Sequence, residues 1–196
     1  EGGMHKIVEG MGKLAEELGV QILTDHAVEK IVSANGRVTK VITNQGEFTA
    51  DVVIAGADYH HVETQLLEPE DRNYSDNYWE KRVMAPSSLL YYVGLDKRIE
   101  GLLHHNLFFD TDFAPHAHHI YTDPQWPEDP LFYASLTSKT DPTVAPKGHE
   151  NLFLLIPVAP GLEENEEIRT RYFDIIMTRM ERFTGQSLKD HVVYYR

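Results

Sequence analysis

A hairpin turn between two short apolar segments constrains the fold of the first third of the sequence. Asn35-Gly36 lies between residues 27–32 and 38–43, and Asn-Gly is the dipeptide most favoured in the tight turns that join antiparallel strands. A second turn at 44–46 leads into residues 47–50. Because both turns are short and the segments alternate in polarity, the sequence predicts a three-stranded antiparallel meander.

The segments on either side of this meander predict a helix and two further strands. Apolar residues recur at helical spacing before the meander, at Ile7, Met11, Leu14, Ala15 and Leu18. This stripe predicts an amphipathic helix over residues 4–18, ended by Gly19. Residues 20–23 then favour a short strand. After the meander, residues 52–55 favour a buried strand that ends at Gly56-Ala57-Asp58.

The second half of the sequence also mixes strands and helices. Apolar and β-branched runs predict strands over residues 87–95, 131–136, 152–158 and 192–195. Helical periodicity predicts helices over residues 62–67, 74–82 and 163–183, whereas residues 99–130 look irregular. We therefore expect an α+β fold in which helices pack on a mixed β-sheet.

The acidic composition limits the partners that the chain can bind. Its formal net charge is −13, from 18 Lys and Arg against 31 Asp and Glu. No basic cluster is long enough to follow a phosphate backbone, so we expect no nucleic-acid partner. The sequence has no cysteine, which excludes disulfides and thiol catalysis within it. No run of about 18 apolar residues, the length of a spanning helix, occurs.

Two local patterns suggest sites but lack the context that a site needs. Residues 10–15 match the loose dinucleotide pattern G-x-G-x-x-A, yet they lie inside the predicted first helix with no strand before them, which excludes a phosphate-binding turn. Histidines are dense at 60–61, 104–105 and 116–119. A zinc site needs converging ligands, and adjacent histidines on a strand point to opposite faces, so we expect no metal. A paired-carboxylate hydrolase stays open, because no acidic pair has a distinguishing context.

The segment 138–160, SKTDPTVAPKGHENLFLLIPVAP, carries the most specific pattern in the chain. Its Asp-Pro, Ala-Pro-x-Gly and Leu-x-Pro-Val elements resemble those of the carotenoid desaturases, the phytoene dehydrogenase-related enzymes of the FAD-dependent amine-oxidase superfamily. Blocks at 2–4, 27–31, 50–53 and 91–95 follow the order and spacing of the same family. The chain opens on Glu1 and lacks the family's glycine-rich first turn, so we expect an internal segment of a longer protein.

The resemblance implies that two segments of the chain belong to domains with different functions. Residues 1–58 would complete the FAD-binding domain of a two-domain oxidoreductase, and residues 59–196 would form most of its substrate-binding domain. The positions that match the family's FAD-contacting positions are Val28, Gly56, Ala57 and Asp58. FAD is therefore expected in the longer protein and not in the isolated chain, which we expect to be colourless and inactive.

The resemblance also implies an apolar substrate. Aromatic residues of the irregular region are expected to line the entrance of a long apolar tunnel; they are Phe108, Phe109, Phe113 and Tyr121. No catalytic residue is assigned. The implied reaction is the stepwise desaturation of a phytoene-like carotenoid precursor. Three alternatives stay open: a carotenoid isomerase or oxygenase, an amine oxidase, or a non-catalytic isoprenoid-binding module. The implied location is cytoplasmic with peripheral membrane contact, and an exposed apolar cleft would favour self-association.

Overall fold

The computed structural model describes residues 2–196, which form two compact units. Residues 12–83 make up the first, called here the meander unit, and residues 2–11 together with 84–196 make up the second, called the sheet unit. The boundary expected at residue 58 concerns the domains of a longer protein and stays a prediction.

The first helix, α1, spans His5–Glu17 and has residues in both units. Gly19 follows it with a φ of 83°, the left-handed conformation that commonly ends a helix. Gly10 and Gly12 lie within α1, so the G-x-G-x-x-A pattern is helical there. The helix has no buried residue, and its apolar stripe is exposed, with Met11 at 68% and Leu18 at 75%.

The predicted meander is confirmed. Its strands are β1 (Val28–Ala34), β2 (Arg37–Thr43) and β3 (Gly46–Thr49), paired antiparallel in that order. Asn35 and Gly36 both have positive φ, 53° and 72°, as the tight hairpin turn requires.

Two predicted strands beside the meander are wrong. Residues 20–23 and 52–55 have no regular secondary structure, and Val52 and Ile54 are 76% and 92% exposed. A strand forms only where a neighbouring strand pairs with its backbone N–H and C=O groups. Neither segment has such a neighbour among residues 2–196, so apolar character alone was not sufficient.

Helical turns complete the meander unit. Helix α2 (Tyr59–His61) continues as a π-helical turn, Val62–Leu66, which packs Val62 and Leu66 against Ile31 of β1. The buried carboxylate of Glu63 accepts hydrogen bonds from the backbone N–H groups of Asn73 and Tyr74, each at 3.1 Å. The remaining elements are a 3₁₀ helix, Pro69–Asp71, and helix α3, Asp76–Glu80.

The sheet unit contains five antiparallel strands in the order β5-β6-β7-β4-β8. They are β4 (Ser87–Leu95), β5 (His105–Phe108), β6 (Phe132–Ser135), β7 (Glu150–Val158) and β8 (Val192–Tyr195). Helix α5 (Glu166–Thr184) packs on one face of this sheet, and helix α4 (Phe113–Tyr121) follows β5 in the chain. Two 3₁₀ helices, Thr137–Lys139 and Lys189–His191, precede β7 and β8.

The core of the sheet unit lies between the sheet and α5. Alternate residues of β4 and β7 point into it, which gives both strands an alternating pattern of burial. Tyr172, Ile176 and Met180 of α5 pack against them and are at most 1% exposed. Burial of this apolar face, rather than helix propensity, stabilises α5 in its place.

The α+β class is confirmed, but the sheet arrangement differs from the expected one. The strands of residues 2–196 form two sheets, and each pairing in them is antiparallel, so a single mixed sheet is not formed. Residues 99–130 are also more regular than predicted, because they contain β5 and α4. The side chain of Asp112 caps α4 by accepting a hydrogen bond from the backbone N–H of Ala114, and an aspartate in this position is a helix-start signal within a region predicted to be irregular.

A buried carboxylate organises the start of β7. Glu150 is 1% exposed, and its side chain accepts a hydrogen bond from the backbone N–H of Ile99 at 3.1 Å. The hydroxyl of Ser138 donates to it as well. Arg98 and Lys139 form ion pairs with it at 3.2 and 3.3 Å. The carboxylate thus connects β7 to the loop at 98–99 and to the 3₁₀ helix Thr137–Lys139.

We expect Glu150→Ala to lower the free energy of unfolding by about 3 kcal/mol, because removing one partner leaves buried polar groups unpaired. Urea unfolding followed by far-UV circular dichroism measures this change. Glu128→Ala, at an exposed position, is the matched control and should change stability by less than about 0.5 kcal/mol. Equal stability of the two variants would contradict this account.

Candidate functional site

The face of the sheet opposite α5, called here the open face, is apolar and partly exposed. Side chains on a strand alternate between faces, so the residues between the core positions point to this side. Leu90 and Tyr92 of β4 are 38% and 54% exposed there, and Leu107 of β5 is 70% exposed. Phe153 and Leu155 of β7 are half-buried. A soluble unit usually covers such a surface, so the open face is the primary candidate site.

Aromatic rings form a continuous row across the open face. From β5 to β4, the ring centroids of His105 and Tyr133 are 6.0 Å apart, those of Tyr133 and Phe153 6.3 Å, and those of Phe153 and Tyr92 5.3 Å. This aromatic row is not predicted by the local sequence. The alternation within 87–95 and 152–158 places Tyr92 and Phe153 on one face, but only the strand register shows that they are neighbours.

A pocket of about 180 Å³ lies at one end of the open face, beside α4. We call it the α4 pocket. Its wall is almost entirely apolar and comes from β5, β6, β7 and α4; it includes Leu107, Phe109, Phe113, Ile120, Tyr121 and Pro157. The rings of Phe109 and Phe113 stack with centroids 6.3 Å apart. An apolar pocket of this kind suits a hydrocarbon end group.

The structure brings together three of the four residues predicted to line a tunnel entrance. Phe109, Phe113 and Tyr121 all line the α4 pocket. Phe108 does not: it is 5% exposed, belongs to the core, and stacks on Phe132 with centroids 4.3 Å apart. Phe108 is the last residue of β5 and points to the core, whereas Phe109 follows the end of the strand and lines the pocket on the other side. The role of all four in binding stays a prediction.

His116 lines the α4 pocket with both ring nitrogens occupied. Its Nδ1 accepts a hydrogen bond from the backbone N–H of Leu131 at 2.9 Å, and its Nε2 therefore carries the proton donated to the carbonyl of Pro157, 2.8 Å away. Burial lowers the pKa of His116, and the hydrogen bond to Pro157 opposes that effect only in part. The imidazole is neutral, and it positions α4 against β6 and β7 rather than acting as a base.

His116 should make the stability of the sheet unit depend on pH. Its pKa is lowered in the folded state, so below about 6.5 the unfolded chain gains a proton that the folded chain does not. The free energy of unfolding therefore decreases as the pH falls below neutral. We expect urea midpoints measured between pH 7.5 and 5.5 to fall less steeply in His116→Gln than in the unaltered chain. Equal slopes in the two proteins would contradict this account.

The residues predicted to contact FAD lie in the meander unit. The backbone N–H and C=O groups of Ala27 point to the β2 side of the hairpin. The carbonyl accepts a hydrogen bond from the N–H of Asn44, and the N–H donates one to the side-chain oxygen of Asn44. Neighbouring strand residues turn their backbone groups to opposite edges, so the N–H and C=O of Val28 point to the outer edge of β1. That edge has no strand partner in residues 2–196. A free backbone edge of this kind fits the recognition of an adenine ring.

The Gly56-Ala57-Asp58 segment fits a ligand less completely. A Cβ on Gly56 would meet no atom within 4 Å, which leaves open space beside the backbone. The carboxylate of Asp58 is engaged, because it accepts a hydrogen bond from His61 at 2.9 Å and caps α2. Asp58 thus has a structural role, and Val28 and Gly56 are the better candidates. All four residues stay predictions.

The histidines are dispersed over separate local interactions. His104 contacts the hydroxyl of Thr140 at 2.7 Å, and His191 contacts Asp96 at 2.7 Å. His60 packs on Trp79 with ring centroids 5.0 Å apart. No group of three or more His, Asp or Glu side chains in residues 2–196 is arranged to hold a metal ion.

The sequence matches the family model described as flavin containing amine oxidoreductase over residues 1–194. The chain belongs to this family. It is 43% identical to a carotenoid 3,4-desaturase from Haloarcula japonica over 195 residues, and 33% identical to a 1-hydroxycarotenoid 3,4-desaturase from a Flavobacterium species over 171 residues. These alignments cover 99% and 85% of this chain. The resemblance to carotenoid desaturases is confirmed.

The chain spans only 39% and 34% of the length of these two relatives. Its fold is similar to that of an oxidoreductase from Methanosarcina mazei, with a TM-score of 0.69 and 19% identity, over 100% of this chain and 42% of that one. At this identity the likeness concerns the fold alone. No helix within residues 2–196 has both the length and the apolar character needed to cross a membrane.

Proposed function

We propose that this chain supplies the substrate-binding part of an FAD-dependent carotenoid desaturase. The observation that supports this most directly is the open face, an apolar sheet surface crossed by the aromatic row and ending in the α4 pocket. A polyene is long, flat and apolar, and aromatic rings contact such a surface well. The family and the two desaturase relatives point to the same class of substrate.

In this proposal the two parts of the chain have different tasks. Residues 59–196 bind the carotenoid and hold it on the open face, where the sheet excludes water from one side of the polyene. Residues 1–58 complete the FAD-binding domain, with the outer backbone edge at Val28 and the open space beside Gly56 next to the cofactor. FAD, where bound, supplies the oxidising chemistry by accepting a hydride.

The side chains of the site favour a hydrocarbon over an amine. An amine oxidase needs polar or charged groups that recognise and orient an amine, whereas the α4 pocket is almost entirely apolar. The only histidine in its wall, His116, has both nitrogens engaged. A non-catalytic isoprenoid-binding protein would use the same face, and the two functions differ in whether bound polyene is converted.

The proposal is tested with the longer flavoprotein that contains this chain, assayed with a phytoene-like polyene in lipid vesicles. Desaturation lengthens the conjugated system and moves its absorption to longer wavelength. We expect Tyr92→Ala to raise KM about threefold to tenfold, because one ring of the aromatic row is lost. Phe183→Ala, exposed on α5, should leave KM unchanged. A flavin-loaded protein that binds the polyene without converting it would instead indicate a binding module.

We further propose that this longer protein contacts the cytoplasmic surface of a membrane peripherally, because its substrate dissolves in the bilayer. The exposed apolar stripe of α1 and the open face support contact with an apolar phase or with a second copy. We expect the longer protein to co-sediment with liposomes. Sedimentation of the protein without liposomes measures self-association separately. If no protein is found with the liposomes, peripheral membrane contact is wrong.

A further inference from the structure

We propose that His105 is the base that accepts a proton from the polyene during desaturation, and that Tyr133 positions its imidazole ring. Both side chains belong to the aromatic row on the open face, the surface that the proposed polyene covers. The inference rests on the proposed function and assigns a catalytic residue to that reaction.

The reaction needs a proton acceptor next to the bond that is desaturated. Two hydrogens leave neighbouring carbons of a C–C single bond: a hydride, which FAD accepts in the proposed function, and a proton. The electron pair of the C–H bond that loses the proton becomes the second bond of the new C=C. Because the sheet keeps water from the covered side of the polyene, a side chain of the open face has to accept that proton.

Contacts on two sides hold the imidazole of His105 in one orientation. Its Nδ1 lies 2.5 Å from the hydroxyl oxygen of Tyr133, and the planes of the two rings differ by only 20°. The ring of His104 also packs against it, with centroids 4.2 Å apart. His104 is itself held by the contact between its Nδ1 and the hydroxyl of Thr140. A base that is oriented before the substrate binds loses little time or free energy in finding its position.

The second ring nitrogen of His105, Nε2, is free to accept the proton. Within residues 2–196, the bond to Tyr133 is the only hydrogen bond that this ring makes. When Nδ1 carries the hydrogen and donates it to the Tyr133 oxygen, Nε2 has a free lone pair. Protonation of Nε2 leaves the bond at Nδ1 in place, so the ring does not have to turn. The side chain is exposed, so the proton can pass to water after the product has left.

The position of His105 relative to the α4 pocket determines which part of the polyene it meets. Leu107 and Tyr133 both line that pocket. His105 precedes Leu107 by two residues on β5, which places it on the same face about 7 Å further along the strand. A hydrocarbon end group in the α4 pocket therefore leaves the carbons just outside the pocket beside His105. His116, in the pocket wall, cannot accept the proton because both of its nitrogens are engaged.

The test uses the longer flavoprotein that contains this chain, with a phytoene-like polyene in lipid vesicles. We expect His105→Ala to lower kcat about 100-fold, the effect of losing a general base. KM and the dissociation constant of the polyene should rise at most about threefold, because one ring at the end of the row is lost. Added imidazole should restore activity to His105→Ala and leave the unaltered protein unaffected. Tyr133→Phe keeps the ring and loses one hydrogen bond, so kcat should fall about threefold to tenfold.

The matched control is His118→Ala, at an exposed histidine of α4 outside the pocket wall, which should leave kcat and KM unchanged. An unchanged kcat in His105→Ala overturns the assignment, whether or not KM rises. So does a fall in kcat that imidazole does not restore, which would mean that His105 only maintains the open face. These outcomes leave the proposed function standing, because the unaltered protein still converts the polyene. If the unaltered protein converts none, the proposed function fails and the role of His105 fails with it.

Discussion

The buried carboxylate of Glu150 is the interaction on which the geometry of the sheet unit depends. A charge that is almost fully removed from water must be paired and hydrogen-bonded, and Glu150 meets this need with groups from the loop at 98–99 and from residues 138–139 of a 3₁₀ helix. Neither segment can move along the strand without breaking those bonds. The first residue of β7 is therefore held in place by chemistry that tolerates little displacement.

Fixing the start of β7 fixes which residues form the candidate site. Leu152, Leu154 and Ile156 point to the core, whereas Phe153 and Leu155 point to the open face. Because side chains alternate, a shift of one residue would exchange the two sets and destroy both core and site. The aromatic row follows from the same register, since Tyr92 lies opposite Phe153 on the neighbouring strand.

Local patterns predicted the elements that local physics determines. The Asn35-Gly36 turn and the long helix α5 followed from backbone preference and periodicity. The predictions of strands at residues 20–23 and 52–55 were wrong, because a strand needs a neighbouring strand to pair with and composition does not reveal one. The site was only partly predictable for the same reason: the aromatic character of 108–121 pointed to Phe109, Phe113 and Tyr121, but the opposite orientation of Phe108 required the edge strand β5 to be recognised.

Each polar group on a surface that lacks a partner in the protein weakens the binding of a hydrocarbon there, because the hydrocarbon removes that group from water. The open face limits this effect by pairing its polar side chains with the protein itself. His116 is bonded at both nitrogens, the hydroxyl of Tyr133 lies 2.5 Å from Nδ1 of His105, and Thr137 is engaged with Asn151. Pairing these groups within the protein lowers the cost of covering the face with an apolar molecule, because no hydrogen bond to water has to be given up at those atoms.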